Sequence, residues 1–181
     1  MKLIPYVAVN GAWSISDNAM TGVFDLMQEH RLDKAVFYSG GINRKNFIDF
    51  MKSSQNVVHT IWDDNEFPVA PNILMLAWLN RFGSNHGMAH FCCFPKGWGK
   101  TSKELAHKTL DYWFGDFFVK DDGTPLLDVL IGFTPSDNRL AVRWIKQIGM
   151  TIVGNIPLMD TGQKRAGMVV SYITREDFKN G

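Results

Sequence analysis

The 181-residue sequence predicts a mixed α/β domain, with antiparallel strands first and strand–helix–strand units after them. Three observations carry that prediction. Two apolar runs, residues 73–82 and 88–94, flank the compact turn Gly83-Ser84-Asn85-His86-Gly87, the pattern of a hairpin. Residues 126–133 are nearly all apolar, as a strand covered on both faces requires. Between these strands, Ala106, Leu110, Trp113 and Phe114 recur at helical spacing.

The elements follow in order. Residues 3–9 form a first strand, and Pro5, which cannot donate to a ladder, places it at a sheet edge. Ser16, Asp17 and Asn18 offer N-caps to a helix whose Met20, Val23, Phe24 and Met27 face inward. A short apolar run at 35–38 ends in the turn Ser39-Gly40-Gly41. Asn43 caps a second helix with Phe47, Ile48 and Met51 inside. Residues 56–62, rich in Val, Thr, Ile and Trp, read as a strand. In 73–82, Leu, Met and Ala favour helix, but the hairpin pattern selects strand.

After the hairpin comes Pro95-Lys96-Gly97-Trp98-Gly99-Lys100. Thr101-Ser102-Lys103-Glu104 then matches a capping box, with Thr101 as cap and Glu104 reaching back. A third helix opens at Thr134-Pro135-Ser136-Asp137, with Leu140, Ala141, Trp144, Ile145 and Ile148 inward and Gly149 as its C′ glycine. Residues 151–158 and 167–174 are the last strands, joined by the polar turn Asp160-Thr161-Gly162-Gln163-Lys164. The predicted order is β-α-α-β-β-β-α-β-α-β-β in one domain, 1–181.

Composition bounds the rest. At 45% hydrophobic and 20% charged residues the chain is of ordinary globular make-up, long enough to bury a core without staples. Cys92 and Cys93 are neighbours, point to opposite faces of a strand and do not suit a disulfide with each other. No Cys/His set has zinc spacing, so no metal is expected. The net charge of +1 gives no global attraction to nucleic acid. Neither a signal-peptide pattern nor a membrane-length apolar run is present, so a soluble, cytoplasmic protein is expected.

The stretch that carries chemistry is strand, glycine turn, helix at residues 88–114. A helix start has unpaired N–H groups and partial positive charge, and glycines before it let the backbone approach an anion. Lys96 and Lys100 add positive charge. The alternative is a plain structural turn, with Trp98 packing against the domain instead of covering a ligand. A nicotinamide site fits less well, because the next strand ends in Phe133-Thr134-Pro135 with no acid at its tip.

Pro135, Asn138, Ala141, Gly149 and Met150 resemble the second signature of the GNAT superfamily, the GCN5-related N-acetyltransferases. The family's pyrophosphate turn reads Gln or Arg, two residues, Gly, one residue, Gly or Ala; here Phe94 stands in the leading place, with Gly97 and Gly99 in register. Ala89-His90-Phe91 through Trp98-Gly99 is similar to divergent acetyltransferase-like proteins of phage and prophage genomes.

The resemblance implies acetyl-CoA or another acyl-CoA as cofactor and an amine, small-molecule or protein, as acceptor. The strand ending near Phe94 would splay from the one beginning near Leu126. Pantetheine would lie in that gap on backbone groups of Phe91, Cys92, Cys93 and Phe94. Pyrophosphate would sit at Lys96, Gly97, Trp98, Gly99, Lys100 and Thr101. Asn138 would reach the pantetheine, or else make local bonds at a helix start. Residues 71–181 would hold the cofactor and 1–70 the acceptor.

His90 is the candidate base, with a pKa range suited to neutral pH; the alternative is a histidine satisfied within the sheet. Ser136 could donate a hydrogen bond or simply cap. Tyr172 is a fallback proton donor. Where many family members have a catalytic tyrosine, this chain has Ile145, beside Trp144. A nucleobase-modifying enzyme of the same fold is one alternative. It needs a basic groove, and Arg139, Arg143 and Lys146 lie on one outer helix face, which is more commonly a solvated one. A non-catalytic binding module, favoured by the missing leading Gln/Arg and the missing tyrosine, is another, and exposed aromatics such as Trp13 or Phe67 could mark a homodimer.

Overall fold

A computed structural model describes residues 1–37, 42–63, 68–157 and 167–181. The turns at Ser39–Gly41 and Asp160–Lys164, and Phe67, lie outside them. Among the described residues nine strands and six helices follow in the order β1 (Lys2–Pro5), β2 (Ala8–Val9), β3 (Ala12–Trp13), α1 (Asp17–Glu29), α2 (Leu32–Val36), α3 (Arg44–Lys52), β4 (Val57–Trp62), β5 (Ile73–Asn80), β6 (His86–Cys93), α4 (Lys100–Tyr112), β7 (Val129–Pro135), α5 (Arg139–Gln147), β8 (Thr151–Pro157), β9 (Gly167–Thr174) and α6 (Arg175–Asn180). Seven strands form one mixed sheet, β1-β4-β5-β6-β7-β9-β8. The predicted mixed α/β architecture is the one observed.

Local chemistry explains most of it. Ser16 and Asn43 cap α1 and α3 by accepting from the N–H groups of Ala19 and Asn46. β5 is buried along seven of its eight residues, because both faces are covered. That burial outweighs the helix preference of its Leu, Met and Ala. β1 is an edge strand paired only with β4, as Pro5 requires. Side chains of one sheet face pack with α4 and α5 around Met75, Leu105, Leu110 and Trp113. Those of the other pack with α1 and α3 around Phe24, Phe47, Leu76 and Trp78.

Four expectations change. The first strand stops at Pro5; Ala8–Val9 turns instead through Asn10 (φ 51°) and Gly11 (φ 81°) to pair with Ala12–Trp13. That is the left-handed pair a tight Asn-Gly hairpin uses. α2 and α6 were not anticipated; Thr174 caps α6 by accepting from the Asp177 N–H at 2.9 Å. The strand expected from residue 126 begins at Val129, with Leu126 exposed. Thr101 is not a cap. Gly99, at φ 74°, lets α4 begin at Lys100, so Thr101 lies within its first turn and no side chain caps it.

Candidate functional site

The site begins where the sheet comes apart. β6 and β7 run parallel and pair only at His86–Val129, Gly87–Leu130 and Met88–Ile131. Beyond that point each stays paired with its outer neighbour, β6 with β5 to Cys93 and β7 with β9 to Pro135. The expected splay is therefore present. The Phe94 N–H donates to the Leu74 carbonyl at 3.0 Å. By strand alternation the amides of Phe91 and Cys93 turn the other way, into the gap. The Cys93 carbonyl accepts the Trp98 indole N–H at 2.9 Å.

The chain leaves β6 through a single 3-10 turn, Pro95–Gly97. Gly97 is there for packing. A Cβ on it would lie 2.5 Å from the Leu74 carbonyl oxygen and 2.9 Å from Leu105 Cδ1. The Gly97 and Trp98 amides are spent on the carbonyls of Phe94 and Pro95. The free donors at the start of α4 are thus Gly99, Lys100 and Thr101, fewer than the expected run from Gly97 to Thr101. Lys96 turns away from them: its Nζ lies 2.8 Å from Asp63 Oδ2 and donates to Asn72 Oδ1 at 2.7 Å.

A cleft of about 730 Å³ runs from this helix start along the faces of α4 and α5. That is ample for a drug-sized or cofactor-sized ligand. Its walls are mainly apolar, with Phe91, Cys93, Trp98, Leu140 and Trp144 among them. Leu140, expected inside, is 82% exposed, and Trp98 is 53% exposed. Lys100, Lys103 and Arg143 supply the cations. Trp144 Nε1 donates to Ser102 Oγ at 3.0 Å, and Ser102 donates to the Gly99 carbonyl at 2.7 Å, which ties α5 to the turn. Lys103 was not anticipated as a cleft residue, and Arg143 was expected only on a basic or solvated helix face. The signal was Lys103 one helical turn past Lys100, and Arg143 between Leu140 and Trp144.

The splay itself is a narrower space of about 120 Å³. His90, Phe91, Phe133, Asn138, Trp144 and Ile145 line it, with Ala35 and Val36 of α2 closing one side. Phe91 and Trp144 therefore border both spaces. Asn138 caps α5, its Oδ1 accepting from the Ala141 N–H at 3.2 Å, so the local bond is the one its oxygen makes. Ser136 and Tyr172 line neither space; the Ser136 N–H donates to the Gly167 carbonyl at 3.0 Å.

His90 stacks on Trp78, centroids 4.8 Å apart and planes within 6°, and its Nε2 is 3.1 Å from Asn80 Oδ1. Burial, and secondarily Arg81, lower its pKa to about 4, so the ring is neutral at pH 7. Cys92 is buried on the opposite face from the cleft, its thiol raised by burial. Burial pushes the Cys93 thiol up to about 12, which leaves no thiolate at neutral pH. Among the described residues no cluster of three or more His, Cys, Asp or Glu could hold a metal, and no helix is long and apolar enough to cross a membrane.

No protein-family model matches the chain, and no curated protein matches it in sequence. Solved structures do match in fold. Spermidine N-acetyltransferase SpeG from Vibrio cholerae, in complex with CoA and spermine, superposes with a TM-score of 0.67 at 14% identity, over 98% of each chain. A chimera of that enzyme from Vibrio cholerae and hSSAT gives a TM-score of 0.67 at 14% identity over 100% of each chain. The likeness is one of fold: the chain has the fold of these acetyltransferases from end to end.

Proposed function

We propose that the protein is an acyl-CoA-dependent N-acyltransferase that moves an acyl group, acetyl foremost, to an amine by direct transfer in a ternary complex. One observation carries this reading: β6 and β7 part after three residue pairs, directly beside the uncapped, glycine-led start of α4. A splay offers inward-facing amides to an extended amide-bearing arm, and a helix start offers N–H groups and positive charge to a pyrophosphate. The residues present fit that cofactor. Gly99, Lys100 and Thr101 amides would take the pyrophosphate, with Lys103 and Arg143 adding charge and Trp98 and Leu140 an apolar wall. Amides of Phe91 and Cys93 would take the pantetheine and stabilise the thioester oxygen as charge builds on it.

Acetyl-CoA held there would supply a thioester whose acyl carbon could take the amine nitrogen while the C–S electron pair departs on sulfur. His90, neutral and bordering the splay from the α2 side, would accept the proton that the amine gives up. The protonated Cys93 thiol supports direct transfer over a covalent acyl-enzyme. The acceptor would enter from the side of residues 1–70, where α2 borders the splay. SpeG acts on spermidine, and an amine acceptor, small molecule or protein, is the same chemistry. A net charge of +1 gives a nucleic-acid acceptor no comparable support. The unpaired, reduced cysteines fit the cytoplasm.

One feature favours a second reading, a module that binds the cofactor without turnover. Ile145 borders the splay where the resembled family places its tyrosine. Calorimetric titration with acetyl-CoA, with NAD as control, tests the first claim; no saturable binding at millimolar acetyl-CoA removes both readings. Binding with no CoA released across an amine panel selects the second.

A further inference from the structure

We propose that Asn80 is a positioning residue that fixes which nitrogen of His90 faces the splay, holding the proton on Nε2 and presenting the Nδ1 lone pair to the gap. The proton-accepting use of that lone pair rests on the acyl-transfer reading above.

The sheet register brings the parts together. Trp78 and His90 are direct cross-strand partners on β5 and β6, and Asn80 opposes Met88. Asn80 and His90 are thus diagonal neighbours on one sheet face, a distance side chains can bridge. Asn80 Oδ1 lies 3.1 Å from His90 Nε2. A carboxamide oxygen only accepts, so the facing ring nitrogen must donate, and the remaining nitrogen is a lone pair. Trp78 stacks flat on one face of the imidazole and has Phe37, from the end of α2, at 5.7 Å and 14° to its own ring. The stack removes tilt, and the Asn80 bond removes the two-fold choice of ring orientation. Among the described residues Nδ1 is shown with no hydrogen-bond partner, and the His90 side chain is only partly buried where it borders the gap. The ring borders the 120 Å³ gap, whose lining contains no other ionisable side chain among the described residues. Arg81, at the end of β5, is the charge that acts on the ring.

Histidine side-chain nitrogen NMR on the full chain reads the arrangement directly, with His90→Gln identifying the resonance. The expected result at pH 7 is a neutral His90 protonated on Nε2. Asn80→Ala should abolish that preference, giving mixed tautomers. Asn80→Asp should keep it and raise the His90 pKa by about one to three pH units, since a carboxylate replaces a neutral partner. A wild-type ring protonated on Nδ1 overturns the proposal, and this reading needs only the His90→Gln assignment beside the wild type. So does an Asn80→Asp protein whose His90 titrates as in wild type. Failure of the acyl-transfer reading looks different: acetyl-CoA does not titrate, while the tautomer stays Asn80-dependent.

Discussion

Acid sensitivity traceable to a single residue follows from His59. It sits on β4 facing α4, with no exposed surface, enclosed by Tyr112, Trp113 and Phe117. Its Nδ1 accepts the Trp113 indole N–H at 3.0 Å, and among the described residues its Nε2 has no partner. Protonating Nδ1 would break that bond and place a cation among aromatic rings, so burial lowers the pKa from 6.5 to about 4. The sign follows from proton counting: between those values the unfolded chain binds more protons than the folded one. Stability is therefore complete above about pH 6.5 and falls as pH drops toward 4. The linkage gives a loss of about 2 kcal/mol at pH 5 and about 3 kcal/mol in full. At this chain length that lowers the melting temperature by roughly 4–8 °C at pH 5.

The assay is urea unfolding at pH 7 and pH 5 for wild type and His59→Asn, whose Oδ1 can still accept from Trp113 but does not titrate. The variant starts lower, and only the pH dependence is compared. His90, lowered likewise to about 4, contributes equally to both proteins and cancels. Equal losses in wild type and variant between pH 7 and pH 5 would refute the reasoning.

Three further outcomes are expected. Gly97→Ala, which forces a methyl against the Leu74 carbonyl, should cost about 1–3 kcal/mol in urea unfolding without any ligand present; unchanged stability would show that the turn yields freely. Lys103→Glu with Arg143→Glu should weaken acetyl-CoA binding by roughly tenfold or more at low salt, less at high salt, with melting unchanged, because both side chains line the cleft; equal affinity at low salt would place the pyrophosphate elsewhere. His90→Ala should lower turnover about 10²–10⁴-fold and leave acetyl-CoA affinity intact. Wild-type turnover in that variant would leave the proton to water.

Much of the fold was legible because burial and local chemistry agreed. β5 read as a strand from its neighbours, and Ser16, Asn43 and Gly149 marked helix ends that the structure places within a residue. The misreadings have physical causes. Thr101 and Glu104 satisfy a capping pattern, but the left-handed Gly99 starts the helix earlier than that pattern allows. Asn10-Gly11 is a hairpin signal that the apolar flanks concealed within one run. The site was harder. Lys96 and Lys100 are equivalent in sequence, and only the distant Asp63 and Asn72 draw Lys96 away. Leu140 keeps the spacing of a core residue, yet it serves as a cleft wall. Arg143 becomes a cleft residue only once α5 is set against α4, which no local pattern specifies.

The three-pair junction between β6 and β7 has a mechanical consequence. Neighbouring junctions hold by six or seven pairs, so this one is the weak seam of the sheet. Opened from its outer end, the sheet behaves as two stiff plates, β1-β4-β5-β6 and β7-β9-β8, strapped covalently by the crossover through α4. His90 rides on one plate and α5 is carried by the other. Small rocking about residues 86–88 and 129–131 therefore changes the width between them while disturbing few backbone bonds. By strand alternation the amide protons of Gly87, Val129 and Ile131 face across that seam, and they are where such breathing would first register as exchange with solvent.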